Sequence, residues 1–158
     1  TGAALFDLTR ERTARAGRPA YETSNHARPG AECRHNLLYW RGGDWLGVGP
    51  GAHGRLGRRA VARRADPLGW VAAVEADGHG TAEDQMLDPA DLARERLMMG
   101  LRLADGIPFD ASLRAVVDSD GLARMEAGGF VRHEDDGRLR ATPAGERLLD
   151  AVLGALLA

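Results

Sequence analysis

The pattern of apolar and polar positions divides the chain into two parts with different kinds of element. From residue 88 onward, apolar residues recur every three or four positions, which is the spacing of one face of a helix. Leu97 and Leu101 have this spacing, and the pattern predicts a helix that is capped by Asp88, begins at Pro89 and runs to about Ala104. Before residue 78, apolar residues stand in short runs among glycine, proline and charged residues. That arrangement favours short strands and turns.

The first part is predicted to contain three helices and several short strands. An amphipathic helix is expected over 3–16, with Gly17 as its C-cap. Further helices are expected at 32–40 and 67–76, the second with Asp66 as N-cap and Pro67 at its first position. The other expected elements are strands at 19–24 and 44–48, a tight loop at 49–51, and two strands within 52–64 around Gly57.

The second part is predicted to be mainly helical with one hairpin. After the helix that begins at Pro89, we expect helices at 109–117 and 120–127, a hairpin of strands 130–133 and 139–141, and a last helix at 143–157 capped by Thr142. This order is typical of a winged-helix module. Residues 78–88 are predicted to be a linker, because they open with two glycines.

Composition narrows the classes of protein that fit. A chain of 158 residues buries one good core or two small ones, and a net charge of −2 gives no strong attraction to nucleic acid. The single cysteine excludes an internal disulfide and favours a reducing compartment, so we expect a cytoplasmic protein. No apolar run reaches the ~20 residues that span a bilayer.

Residues 21–56 concentrate the side chains that carry chemistry. The segment YETSNHARPGAECRHNLLYWRGGDWLGVGPGAHGRL contains three histidines, the only cysteine and two of the three tryptophans. Histidine and cysteine ligate metals, and aromatic rings pack on flat ligands. Glycines let backbone groups approach a ligand closely. We therefore expect the functional site in this segment.

Three motifs in this segment resemble the oxygen-independent coproporphyrinogen III oxidase-like branch of the radical SAM proteins, and in particular its HemW-like haem chaperones. The motifs are YETSNHARPG at 21–30, the HNxxYW signature at 35–40, and GVGPGAHG at 47–54. The resemblance continues more weakly through 66–70 and 95–107. It implies that the chain is the C-terminal part of such a protein.

The resemblance implies an α+β fold in two parts. Residues 1–77 would form the end of a radical SAM partial barrel with a small β extension, 78–88 a linker, and 89–158 a helical, winged-helix-like C-terminal domain. Members of the family hold a [4Fe–4S] cluster on the three cysteines of a CxxxCxxC motif. This chain has one cysteine. We therefore expect it to be inactive alone, with no catalytic residue, no metal site and no stably bound cofactor.

The HNxxYW signature is the candidate haem site. In a helix, His35 and Tyr39 share a face, and a neutral imidazole can ligate haem iron. The spacing alone also fits a structural role, with Tyr39 and Trp40 as core anchors and His35 as a capping residue. Cys33 is either a thiolate ligand or a partly buried free thiol. The resemblance implies that the HNxxYW signature lies at or near the haem or porphyrin site. The candidate haem-binding residues are therefore His35, Asn36, Tyr39 and Trp40, with Cys33 added for its thiol.

The glycine loop that follows is the candidate S-adenosylmethionine site. Its sequence alone also fits an ordinary turn after a strand, and it lacks the GK[ST] of a Walker loop. The resemblance implies that the loop lines the S-adenosylmethionine pocket, with the methionine or adenosine part facing Ala52 and His53. The residues so assigned are Gly49, Gly51, Ala52 and His53.

The implied function is haem delivery by a longer protein that binds a [4Fe–4S] cluster, S-adenosylmethionine and haem. Its partners would be haem or a porphyrin and recipient haemoproteins, membrane-associated clients among them. The alternative is a coproporphyrinogen III dehydrogenase that decarboxylates propionates by radical chemistry, and the HNxxYW signature favours the chaperone. Whether the longer protein is an oxidoreductase stays open.

Two other classes also stay open, a stand-alone haem- or porphyrin-binding module and a winged-helix DNA-binding protein. DNA binding is disfavoured because the expected recognition helix, within 118–129, has a net negative charge, and the hairpin carries Glu134, Asp135 and Asp136. We expect no nucleic-acid partner.

Overall fold

Two three-stranded sheets, each accompanied by helices, make up the structure, which is a computed structural model describing residues 2–157. The outermost residues of the predicted domains, Thr1 and Ala158, lie outside the described residues. The elements are α1 Gly2–Arg15, α2 Arg34–Trp40, β1 His53–Leu56, β2 Arg59–Arg63, α3 Pro67–Asp77, β3 Thr81–Met86, α4 Pro89–Gly100, β4 Ile107–Pro108, α5 Ala111–Arg114, α6 Ser119–Ala127, β5 Val131–His133, β6 Arg138–Ala141, α7 Pro143–Glu146 and α8 Leu149–Leu156.

The first sheet is antiparallel, in the order β1-β2-β3. β1 and β2 are the two strands predicted around Gly57, which turns the chain with a φ of 55°. β3 lies within the predicted linker 78–88, so the expectation of an irregular segment is wrong for residues 81–86. Its strand pairing with β2 is a contact between distant parts of the chain, which local glycine spacing does not reveal. Gly80 is buried, and a Cβ there would lie 2.2 Å from Cδ1 of Trp70.

The second sheet has the order β4-β6-β5 and contains the predicted hairpin. Together with the helices, it follows the order helix, strand, helix, helix, strand, strand from α4 to β6. β4 adds a short third strand through the pair Ile107 and Leu139. A strand of two residues leaves no pattern in the sequence, since an apolar alternation needs more positions than that.

The hydrophobic core lies entirely in the second part of the chain. In residues 2–92 every apolar side chain is at least partly exposed to solvent. The second part therefore has a core of its own, and the division into the predicted domains stays a prediction. The core consists of Ala93, Leu97, Leu101, Ile107, Phe109, Leu113, Val131, Leu139, Ala141, Leu149, Val152, Leu153 and Leu156.

Three predicted helix N-caps are confirmed. The side chains of Asp66, Asp88 and Thr142 each accept a hydrogen bond from the backbone N–H three residues later, and a proline follows each of them. Such caps satisfy N–H groups that have no partner inside the helix. The sequence therefore located these three helix starts correctly.

Three helices end earlier than predicted. α4 stops at Gly100, where a Cβ would lie 2.6 Å from Cδ1 of Ile107, because the chain turns there to bring β4 alongside. Of the helix predicted at 109–117, only α5 forms.

The last helix breaks at Leu148, whose φ of −124° is not helical. Leu148 stays exposed while Leu149 is buried, so the break lets α8 turn its apolar face to the core.

Two predicted strands, at 19–24 and 44–48, are not formed. Only isolated bridges occur there, between Ala20 and His26, Glu22 and Leu103, and Trp45 and Arg55. In the first segment, Oε1 of Glu22 accepts hydrogen bonds from the N–H and hydroxyl of Ser24. That local turn replaces a regular strand.

Candidate functional site

Helix α2 presents His35 and Tyr39 on one face, as predicted from their spacing. The hydroxyl of Tyr39 lies 3.1 Å from Nε2 of His35, and the two rings meet edge to face with centroids 4.6 Å apart. His35 is exposed and Tyr39 is half-buried. The imidazole is therefore positioned by a neighbour one turn away and still accessible to a ligand.

Asn36 and Trp40 lie on another face of α2, because each residue is turned by about 100° from the one before it. Nδ2 of Asn36 donates to the hydroxyl of Tyr21 at 3.3 Å. The Trp40 ring packs under the guanidinium of Arg102, with 5.4 Å between the guanidinium carbon and the ring centroid. The structure thus brings His35 and Tyr39 together and does not bring Trp40 to them.

Cys33 is the N-cap residue of α2, and its side chain makes no capping hydrogen bond. The thiol is free and exposed rather than partly buried. A sulfur ligand is therefore accessible to solvent two residues before His35. Both donor types expected of a haem site, an imidazole and a thiol, are present at the start of this helix.

The glycine loop is partly engaged by its own chain. The N–H of Gly51 donates to the carbonyl of Arg64 at 2.8 Å, and the N–H of Ala52 donates to the carbonyl of Gly49 at 3.3 Å. Within residues 2–157 the N–H of Gly49 has no acceptor. Gly49 has a φ of 94°, and nothing lies within 4 Å of where its Cβ would be. Its backbone is the part of the loop that a ligand can approach.

A shallow cleft of about 240 Å³ opens beside this loop, lined in part by Gly49, Arg63 and Trp70. Arg63 also stabilises the loop, since its Nε donates to the carbonyl of Gly47 at 3.2 Å. Val48 at the rim is 86% exposed. The loop therefore lies at the surface of the first sheet, outside the hydrophobic core.

Gly47 and Gly54 are required by close packing of the chain against itself. A Cβ on Gly47 would lie 2.4 Å from the carbonyl oxygen of His53, and one on Gly54 would lie 2.9 Å from the nitrogen of Gly47. Two hydrogen bonds of 2.8 Å join the backbones of Trp45 and Arg55 at the same place. Part of the glycine content that suggested a ligand site thus has a structural cause.

Trp45 contacts both candidate sites, a role that the sequence analysis missed. Its Nε1 donates to the carbonyl of His53 at 3.0 Å. Its ring lies edge to face with Tyr39, with 4.7 Å between centroids. The only sequence signal was an aromatic residue between the two motifs, and that pattern is too common to be informative.

Arg55 connects this region to the second part of the chain. It forms an ion pair of 2.6 Å with Glu95 on α4, and the two side chains are 11% and 23% exposed. The guanidinium of Arg55 also lies over the Trp45 ring at 5.9 Å. Trp45, Arg55 and Glu95 therefore form a continuous contact from the candidate sites to the second part.

A groove beside Trp40 has a volume of about 450 Å³ and is lined in part by Arg41, Arg138 and Asp105. Arg138 donates to the carbonyl oxygens of Asp105 and Gly106, each at 2.7 Å. Arg41 lies 3.6 Å from the Asp105 carboxylate. Both guanidinium groups are therefore already engaged by acceptors of the chain itself.

Neither a metal cluster nor a membrane segment is formed by the described residues. Across 2–157, no three His, Cys, Asp or Glu side chains come close enough to hold a metal ion. A [4Fe–4S] cluster needs three cysteine ligands, and the chain has one, so this chain's residues do not fit that group. No helix between residues 2 and 157 is long and apolar enough to cross a membrane.

Comparison with known proteins shows what this chain is similar to. Residues 87–148 match the HemN C-terminal domain. The chain is 36% identical over 152 residues to the heme chaperone HemW of Mycobacterium tuberculosis, which covers 96% of this chain and 38% of that protein. It is also 36% identical over 154 residues to the mitochondrial radical S-adenosyl methionine domain-containing protein 1 of Danio rerio, covering 87% of this chain and 34% of that protein.

The fold resembles that of a solved structure, the coproporphyrinogen III oxidase (HemN) from Escherichia coli, described as a radical SAM enzyme. The TM-score is 0.70 with 18% identity, over 96% of this chain and 40% of that one. This chain therefore spans between about a third and two-fifths of the length of these relatives.

Proposed function

We propose, from the membership of residues 87–148 in the HemN C-terminal domain family, that this chain is the C-terminal part of a radical SAM haem chaperone. In the full-length protein it binds haem through α2 and contributes the glycine loop to an S-adenosylmethionine site. The protein then transfers haem to recipient haemoproteins in the cytoplasm. The sequence relatives that are named heme chaperones support a chaperone function over the functions of other members of the family.

The observation that carries the haem site is the exposed imidazole of His35, held by Tyr39 at 3.1 Å. A neutral imidazole with one nitrogen fixed by a neighbour and the ring open to solvent has the chemistry of an axial haem ligand. Tyr39 orients this ring. Cys33 is the second accessible donor and would supply a thiolate instead.

The glycine loop supports the S-adenosylmethionine site through Gly49. Its free N–H and the open space beside it allow backbone contact with a polar ligand. Bound beside a reduced [4Fe–4S] cluster, S-adenosylmethionine would take up one electron and supply a 5′-deoxyadenosyl radical, with methionine released. The cluster ligands must come from outside this chain, so we assign no chemical step to the residues described. Gly51 and Ala52 shape the loop, since their N–H groups are already bonded.

Coproporphyrinogen III oxidation is the second candidate function, because the solved structure with the same fold carries that name. At 18% identity this likeness concerns the fold alone. The HNxxYW signature is the observation that favours the chaperone. A winged-helix-like C-terminal unit then serves as a lid or a docking surface for the recipient, since its acidic hairpin is unsuited to DNA.

Two assays on the full-length protein separate these functions. A hemin titration followed by the Soret band tests haem binding, and we expect a saturable, stoichiometric shift. An anaerobic incubation with coproporphyrinogen III, S-adenosylmethionine, a reductant for the cluster and an electron acceptor for the substrate radical tests decarboxylation, and we expect no protoporphyrinogen. Decarboxylation without a Soret shift would replace the chaperone by the oxidase.

A further inference from the structure

We infer that Trp45 is a positioning residue that couples the glycine loop to His35, so that S-adenosylmethionine and haem bind cooperatively. This inference rests on the proposed function, because it assumes that both ligands bind where that function places them. It goes further by assigning a role to a residue outside both motifs. Three contacts carry it, and all of them meet at one indole ring.

The first contact joins Trp45 to the glycine loop. Its Nε1 donates to the carbonyl of His53 at 3.0 Å. His53 begins β1, and the backbone of Gly47 lies directly against that same carbonyl. A ligand that orders residues 49–53 must therefore also restrain the indole.

The second contact joins Trp45 to the candidate haem ligand. The indole meets the Tyr39 ring edge to face at 4.7 Å, and the Tyr39 hydroxyl lies 3.1 Å from Nε2 of His35. Tyr39 and Trp45 are half-buried, so neither ring moves freely. A shift of the indole therefore changes the position of the phenol that holds His35.

The third contact is made by Arg55, which holds the indole in place. Arg55 lies over the Trp45 ring at 5.9 Å and is held by Glu95 on α4. Two of its guanidinium nitrogens, Nε and Nη1, are buried without a hydrogen-bond partner in the described chain. Because Glu95 holds Arg55 in place, the Trp45 ring cannot move towards Arg55. A movement of the glycine loop therefore shifts the indole against Tyr39.

The coupling is expected to be positive. Ordering of the glycine loop by the first ligand restricts the rings of Trp45 and Tyr39 before the second ligand binds, while the hydroxyl hydrogen of Tyr39 can still rotate away and leave Nε2 to the iron. The second ligand then loses less conformational entropy on binding. Coupling between two sites is reciprocal, so each ligand must change the affinity of the other by the same factor.

The test is hemin titration of the full-length protein with and without saturating S-adenosylmethionine. For the wild type we expect hemin affinity to rise about five-fold or more, the lower end of common coupling factors. The reverse titration, of S-adenosylmethionine with and without hemin, must give the same factor. Trp45→Phe keeps a ring against Tyr39 but removes the N–H to His53, and we expect its factor to fall to about one.

Trp70→Phe is the matched control, since the Nε1 of Trp70 is buried and donates to no group in the described chain. It should keep the wild-type factor, even if it changes the affinity for S-adenosylmethionine. A Trp45→Phe factor equal to that of the wild type would overturn the inference, as would a wild type that binds both ligands independently. A wild type that does not bind hemin would overturn the proposed function itself, and the coupling with it.

Discussion

The hydroxyl of Tyr39 lies 3.1 Å from Nε2 of His35, one helical turn away on α2. A haem iron that binds through Nε2 must displace this hydrogen bond. The net stabilisation by such a bond is about 0.5–1.5 kcal/mol. The contact therefore both orients the imidazole and competes with the iron.

Tyr39→Phe removes the competing hydroxyl and retains the ring. We expect the hemin affinity of the full-length protein to rise between two-fold and ten-fold, the range that corresponds to about 0.5–1.5 kcal/mol. The Soret maximum should stay in place because the ligand is unchanged. Equal or weaker affinity would argue against ligation through Nε2.

The C-terminal unit should fold alone. All the residues of the hydrophobic core lie between Ala93 and Leu156. A chain of residues 87–158 should therefore unfold cooperatively in denaturant, whereas 1–86 should show no cooperative transition. The reverse result would contradict the assignment of the core to the second part.

The ion pair between Arg10 and Glu146 should respond asymmetrically to substitution. The two atoms of closest approach, Nη1 and Oε2, are 2.5 Å apart, and the side chains are 24% and 8% exposed. Burial raises the pKa of Glu146, and Arg10 opposes that rise. Removing Arg10 leaves a buried carboxylate without its partner, which is strongly destabilising.

We expect Arg10→Gln to lower the free energy of unfolding by about 2 kcal/mol at pH 7, below the ~3–5 of a fully buried pair because Arg10 is partly exposed. Glu146→Gln should change it little. Because the folded pKa of Glu146 is raised, its contribution is largest below the unfolded pKa and declines as the pH rises through the folded value. The loss in Arg10→Gln should thus grow with pH.

Denaturant unfolding at several pH values measures both effects. Arg15→Gln is the control, because the pair Arg15 and Glu11 is exposed on both sides and should contribute less than about 1 kcal/mol. Equal destabilisation by Arg10→Gln and Glu146→Gln would mean that desolvation of the carboxylate does not dominate this pair.

Asp110 should make the second unit sensitive to acid. Its carboxylate accepts hydrogen bonds from the Ser112 hydroxyl, from Arg96 and from the N–H of Leu113. The Ser112 bond lowers its pKa most, and the pKa falls to about 2 although burial opposes the shift. A depressed folded pKa stabilises the fold above the unfolded pKa, and this contribution is lost as the pH falls towards 2.

Asp110→Asn keeps an N-cap for α5 but cannot ionise. We expect the wild type to lose stability more steeply than the variant as the pH falls from about 4 to about 2. Thermal unfolding across that range measures the difference. Parallel pH profiles for the two proteins would show that Asp110 does not carry this dependence.

The sequence predicted the elements whose cause is local. Asp66, Asp88 and Thr142 each stand before a proline, and the side chain of each caps a helix start as expected. The hairpin of β5 and β6 and the pair β1 and β2 also follow from turns readable in the sequence. The face shared by His35 and Tyr39 is a consequence of helix periodicity alone.

The sequence did not predict the features that depend on contacts between distant residues. β3 exists because β2 pairs with it across α3, and β4 because Ile107 meets Leu139. The role of Trp45 depends on Tyr39 and His53 meeting in space.

The central claim is that His35 is the haem ligand, and hemin titration of the full-length protein tests it most directly. The series compares the wild type with His35→Ala and Cys33→Ala, followed by the Soret band. We predict that the Soret shift is lost in His35→Ala and retained in Cys33→Ala. Loss only in Cys33→Ala would move the ligand to the thiolate, and unchanged spectra in both variants would contradict a haem site on α2.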